Sequence, residues 1–282
     1  MTDKIFHTIG VGVAFSPNLK ANIYEAARLS LLFESTLVLI HVGELSEEKE
    51  QQLLDILQPF IDQNLNYEMV FKTGDPVDVI LSISEEKKVD LLILGALQKE
   101  NLVQYYLGTI ARKITRQAKC SILLLIKPSV ERIACKHIVV NGLDDPKTKQ
   151  TISTAYFVSH KLGSKRITIV EEITKQEVAV SVDDDKSLRK SAIVKERLKH
   201  REESRVRNII SEVPDAYKKD LETKTQSIFG KRGYSIGHYA QFIRADLLVM
   251  NAPMKSGFWD RLFPHDIEYI LSELPTDVLI IR

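Results

Sequence analysis

The sequence predicts an α/β protein made of two tandem, doubly wound domains, each with a five-stranded parallel sheet between helices. Three observations carry this. The chain has 282 residues, long for one core and suited to two domains of about 140 each. Short apolar runs alternate with segments of helical period, the order that yields a mostly parallel sheet. Two blocks of sequence also recur at fixed shifts. Gly74 and Asp90 are 16 positions apart, as are Gly230 and Asp246, a shift of 156 between copies. The same shift carries Cys120–Leu125 onto Thr276–Ile281. Earlier in each copy the shift is 129, taking Ile9–Val13 onto Ile138–Gly142 and Leu37–Ile40 onto Arg166–Ile169. The difference, 27 residues, falls between the second strand of copy two and Gly230.

Within copy one, Val11–Phe15 reads as the first strand. Leu19, Ile23, Ala26, Ala27, Ser30 and Leu31 share one helical face over Leu19–Phe33. Thr36–Val42 is β-branched and reads as a strand. Leu53, Leu54, Leu57, Phe60 and Ile61 mark a helix over Ser46–Asn64, and Tyr67–Lys72 alternates as a strand. Asp75 suits the cap of the next helix and Pro76 its first position. Leu91–Leu94 and Ser121–Ile126 are unbroken apolar runs, typical of strands covered on both faces. Pro128 lies in the linker, so the domains are 1–128 and 133–282, the second with a charged helical insertion at about 174–215. Within the insertion, Asp183–Arg207 reads as a long, mostly solvated helix before Pro214, with a coiled-coil partner site as the alternative.

Composition excludes several classes. A net charge of +1 offers no long-range field for nucleic acid or an anionic membrane. The N-terminus has no signal-peptide pattern, and no apolar run spans a bilayer. Cys120 and Cys135 form no CxxC pair. These features predict a cytoplasmic chain. Seven histidines show no metal spacing, and His41 at a strand end and His265 at a helix start read as structural rather than catalytic. No catalytic residue and no metal site is assigned.

Ligands of open α/β sheets bind beyond the carboxyl ends of strands where strand order reverses. Here those ends are Ala14–Pro17 and Gly95–Leu97. Gly108, Thr109 and Ile110 open an amphipathic helix, with Thr109 as the expected cap and bare amides facing an anion. Gly108 would let a phosphate approach the backbone, and a simple helix-start turn is the alternative.

The spacing Gly95, Ala96, Leu97, Gln98, nine residues, Gly108, Thr109 resembles the loop of the universal stress protein family. Leu39-Ile-His41-Val42, Thr73-Gly-Asp-Pro and Asp90-Leu-Leu-Ile-Leu-Gly resemble it as well. The resemblance covers nearly all of both halves. It implies the Rossmann-like fold of the adenine nucleotide alpha hydrolase group. It also implies adenine nucleotide, ATP or AMP, in copy one. Val42 would then lie beside the adenine, Gly95 and Ala96 would line ribose and phosphates, and Gly108, Thr109 and Ile110 would hold the phosphates. Gln98 replaces the family's middle glycine and can donate to a phosphate. Ala14 replaces its usual aspartate.

In copy two the matching positions are Asn251, Met254, Pro264 and His265, so no nucleotide is expected there. Met254, Phe258, Trp259 and Phe263 read as filling of the vacated pocket or as a domain contact, with an apolar ligand as the alternative. Gly230-Lys-Arg-Gly233 resembles a basic phosphate loop, and turn geometry explains its first glycine equally. Asp144 and Asp145 suit a turn cap, or a cation or ribose contact. The two domains are expected to pair through their last strands, Ser121–Ile126 and Val278–Ile281, and a homodimer is left open. The function implied is a stress-response protein that senses adenine nucleotide in copy one. The alternative is a scaffold that binds no nucleotide and uses the insertion. Activity is at most weak ATP hydrolysis.

Overall fold

The strands form where aliphatic and β-branched residues can be covered on both faces. A computed structural model describes residues 5–98, 105–174, 178, 184–252 and 266–282. The chain divides into two compact units, Met1–Ala134 with Asp277–Arg282, and Cys135–Thr276. Residues 277–282, expected in the second copy, group with the first unit.

The first unit runs β1 (Thr8–Val13), α1 (Leu19–Phe33), β2 (Thr36–Val42), α2 (Glu47–Ile61), β3 (Tyr67–Lys72), α3 (Pro76–Glu86) and β4 (Leu91–Gly95). It continues with β5 (Leu97–Gln98), β6 (Tyr105–Tyr106), α4 (Thr109–Gln117) and β7 (Ser121–Leu125). The second unit runs β8 (His137–Asn141), α5 (Thr148–Leu162), β9 (Arg166–Thr174), α6 (Asp185–Ser211), α7 (Asp215–Lys218) and β10 (Glu222–Gly230). It ends with α8 (Tyr234–Phe242), β11 (Leu247–Asn251) and α9 (Asp266–Ser272), and β12 (Asp277–Ile281) follows.

In the first unit the strands lie in the order β3-β2-β1-β4-β7, all parallel, and β12 adds antiparallel to β7 with Leu279 opposite Leu123. In the second unit the order is β10-β9-β8-β11, again parallel. The α/β class and doubly wound order agree with the sequence. In both units strand order reverses beside the first strand, β1 next to β4 and β8 next to β11.

The strand in front of Pro17 begins earlier than its apolar residues suggest. β1 covers Thr8–Val13, and it stops there because Ser16 N donates to Ala14 O in a turn. Gly10 stays free of a side chain for packing, since a Cβ there would lie 3.1 Å from Leu92 and Val89.

The same local devices appear in both units at the two shifts. Asp90 accepts from the amides of His7 and Thr8, and Asp246 from those of Lys136 and His137. Ser35 Oγ donates to Phe6 O at 2.7 Å, and Ser164 Oγ to Cys135 O at 2.8 Å. The first helix of each unit ends on a left-handed residue, Glu34 at φ 58° and Gly163 at φ 73°. Asn64 and Asp220 take the same conformation before the third strands. These contacts brace the strand starts against one another and leave the opposite, carboxyl edge for the site.

Candidate functional site

At the carboxyl edge of the first unit, β1 and β4 lie side by side. β1 gives way to the turn at Ala14, and β4 ends on exposed Gly95. Asn22, in the first turns of α1, faces this point: a Cβ on Gly95 would meet Asn22 Oδ1 at 3.3 Å and Nδ2 at 3.4 Å. Asn22 Oδ1 is buried and has no hydrogen-bond partner among the described residues. It is a polar residue on a stripe that otherwise holds Leu19, Ile23 and Ala26. That misfit was its signal in the sequence, and sequence reasoning passed over it.

Beyond Gly95 the chain forms a two-residue ladder, Leu97 opposite Tyr106 and Gln98 opposite Tyr105. The ladder returns the chain to α4. Gly108, not Thr109, is the cap residue, in extended conformation at φ −61° and ψ 161°. Thr109 is the first helical residue. No side chain caps this helix among the described residues, and its first turn holds no acid. The first-turn amides of an α-helix have no intrahelical acceptor and carry the positive end of the dipole. Gly108 is not needed for a positive φ. A Cβ there would meet Leu97 Cδ1 at 2.9 Å, so the glycine leaves room for Leu97. The side chain of Gln98 lies outside the described residues.

Val42 ends β2, half-buried. Beside it the His41 ring is held by Nδ1 against Val13 O at 3.0 Å, with Phe15 and Phe71 edge-on at 4.9 and 5.5 Å. Phe15 thus belongs to a cluster at the end of β2, with the Lys49 ammonium 5.8 Å from its ring centre. The structure brings Gly95, Ala96, Gly108, Thr109 and Ile110 to the carboxyl edge around β4 and α4, and Val42 to the end of β2 on the same edge.

The corresponding edge of the second unit is filled by its own side chains. Asn251, where copy one has Gly95, donates from Nδ2 to Thr148 Oγ1 at 3.1 Å, tying the end of β11 to the start of α5. Asp145 caps the turn through Lys147 N at 2.8 Å, as a turn residue should. Gly233, the cap of α8, sits at φ 73°. Its amide donates to Glu172 Oε2 at 2.9 Å, and the amide of Ile236 to Oε1 at 2.8 Å. A buried carboxylate therefore already holds the anion position that the Gly230–Gly233 stretch suggested for a phosphate. The loop from Met254 to His265 lies outside the described residues.

No nucleophile stands out. Burial pushes the Cys120 thiol up to about 11, which keeps it protonated. Among the described residues there is no cluster of three or more metal-ligating side chains, and no helix is long and apolar enough to cross a membrane.

Comparison with known proteins agrees with this frame. Residues 43–125 match the model of the universal stress protein family. A universal stress protein of Methanocaldococcus jannaschii is 29% identical over 93 residues, 32% of this chain and 54% of that protein. One of Methanothermobacter thermautotrophicus is 29% identical over 87 residues, 30% of this chain and 59% of its own length. The chain thus spans little more than half the length of these curated relatives. Two solved structures share the fold along almost the whole chain. One is a functionally unknown protein of Pseudomonas aeruginosa PAO1, with TM-score 0.73, 16% identity and coverage of 99% of this chain and 93% of that one. The other is a universal stress protein of Archaeoglobus fulgidus, with TM-score 0.67, 15% identity and coverage of 98% of each chain. The matched segment, running from just past β2 through the β4–α4 loop to β7, is thus a domain similar to the universal stress protein family, set in a chain that shares the fold of these solved structures.

Proposed function

We propose that the first unit binds an adenine nucleotide, ATP or AMP, at the edge formed by β1, β4 and α4, and that the protein acts as a non-enzymatic nucleotide sensor in a cytoplasmic stress response. The observation that carries this reading is the uncapped start of α4 behind Gly108, next to the exposed Gly95. Bare amides at a helix start favour a phosphate. Asn22, with a buried and unpartnered oxygen beside Gly95, supports a polar ligand there. Val42 would border the base. The second unit binds no nucleotide in this reading, since Asn251 fills the place of Gly95 with a side chain tied to Thr148, and Pro264 stands where copy one has Gly108.

A thermal-shift titration of the full chain with ATP, ADP and AMP tests it. Binding raises the melting temperature with ligand concentration, as RT ln(1 + [L]/Kd) requires. The double variant Gly108→Val with Thr109→Ala should abolish the rise. A melting temperature unmoved by millimolar nucleotide would favour the second reading, a scaffold that works through α6. That reading draws on the exposed Leu188 and Ile193 in the amino-terminal half of this helix.

A further inference from the structure

Helix α6 lies in the crossover from β9 to β10, as α2 does from β2 to β3, and it falls where the second copy carries its 27 extra residues. The sequence reads as a long, mostly solvated helix, and in the structure Ser191, Glu202 and Val206 are its buried residues. Glu202 and Val206 lie in its carboxyl half, while Leu188 and Ile193 further up are exposed. Arg205 ties this half to the sheet. Its guanidinium donates to Gly142 O, just past β8, and pairs with Glu202 at 2.9 Å. It also lies 3.8 Å from the Asp144 carboxylate. The helix thereby covers the carboxyl end of the strand that corresponds to β1.

Under this helix lies Glu171 on β9, 2% exposed. At the shift of 129 it stands where copy one has Val42. From β10, Ser227 Oγ donates to its Oε2 at 3.0 Å. Its Oε1 has no partner among the described residues. From α6 the charges of Glu202, Glu203 and Arg205 act on it through space. Its strand neighbour Glu172 is engaged with the amides of Gly233 and Ile236, as the alternation of a strand places it on the other face.

We propose that α6 is a latch over the carboxyl ends of β8 and β9, shut while Glu171 keeps its proton and released when that proton is lost. A neutral carboxyl is tolerated in a buried place, whereas an ionised one must share Arg205 with Glu202 and gives up its water. Burial, foremost, and the Glu202 carboxylate push Glu171 up to about 7 in the shut state, against an ordinary value of 4.5. Below 4.5 the carboxyl is protonated whether the latch is open or shut, and the shut state keeps its full advantage. Between 4.5 and 7 only the open state loses the proton, so closure weakens by up to about tenfold per pH unit. Above 7 both states are ionised and the weakening levels off.

Hydrogen exchange of the α6 amides, in the full chain and corrected for the intrinsic pH dependence of exchange, tests the latch between pH 5 and pH 8. Protection of residues 199–211 should fall on the order of 100-fold across this range. Glu171→Gln, similar in shape and never charged, should hold protection flat. It keeps His200, which sits 3.3 Å from Glu196 on the same helix, so a fall that survives the substitution would have another origin. Arg205→Gln should leave the helix poorly protected at every pH. Flat protection in the unaltered chain, a fall that persists in Glu171→Gln, an equal fall in β4 and β7, or full protection in Arg205→Gln would each overturn the proposal.

Discussion

Two helix starts in this protein meet the same electrostatic problem in opposite ways. α8 begins behind Gly233, and the buried carboxylate of Glu172 takes two of its first amides. α4 begins behind Gly108, and no side chain among the described residues takes any. Both ends carry the positive pole of their helix. In the second unit the countercharge is built into the strand next door, so the site is finished when the unit folds. In the first unit no such group is built in among the described residues, and under the proposed function a nucleotide phosphate would supply it. A ligand site of this kind arises from leaving a polar requirement unmet, and it is lost by meeting it internally.

The comparison is broken most severely at Glu172. Glu172→Ala would strand two buried amides and should cost about 3 kcal/mol in urea denaturation of the second unit. Nucleotide-induced stabilisation of the first unit should survive, and its loss would show that the two helix starts are not independent. Glu172→Gln should recover part of the stability, since its one oxygen still accepts.

A smaller effect is expected when the first unit is made to copy the second. Gly95→Asn imitates Asn251 and brings a side chain against Asn22, at a cost of about 1 kcal/mol from crowding. The informative readout is the thermal shift with ATP, which should vanish. A retained shift would move the ligand away from β4. The smallest effect is expected for Ser35→Ala and Ser164→Ala, matched braces at 2.7 and 2.8 Å. Each should cost about 1 kcal/mol. Clearly unequal losses would mean that the shared brace does different work in the two units.

What the sequence disclosed was local. Asp75 before Pro76 announces a capped helix, and Asp75 Oδ1 indeed accepts from Val77 N and Asp78 N. The runs at Leu91–Leu94 and Ser121–Leu125 announce covered strands because nothing in them needs water. What stayed hidden depends on partners far along the chain. Glu172 and Gly233 are 61 residues apart, and Arg205 and Gly142 are 63. No periodicity in Asp183–Arg207 says which face a strand will claim. Thr109 shows a subtler limit: a good capping side chain lost the cap position to the glycine before it, as Gly108 is extended and already outside the helix. Asn22 was readable as a polar break in an apolar stripe, but only the fold shows that the break points at Gly95.

The last strand carries a consequence for how the chain is made. β12 closes the edge of β7, Asp277 Oδ1 accepts from Ile126 N across 151 residues of sequence, and Arg282 donates to the carbonyl of Thr115. A ribosome releases β7 long before β12, so the nascent first unit spends the synthesis of more than a hundred residues with one edge of an apolar strand uncovered. Contacts of such high sequence separation form late and slowly. The unit for which a nucleotide is proposed therefore also waits for the end of the chain before its sheet is complete, and an open strand edge in the meantime is a place where chaperone cover helps.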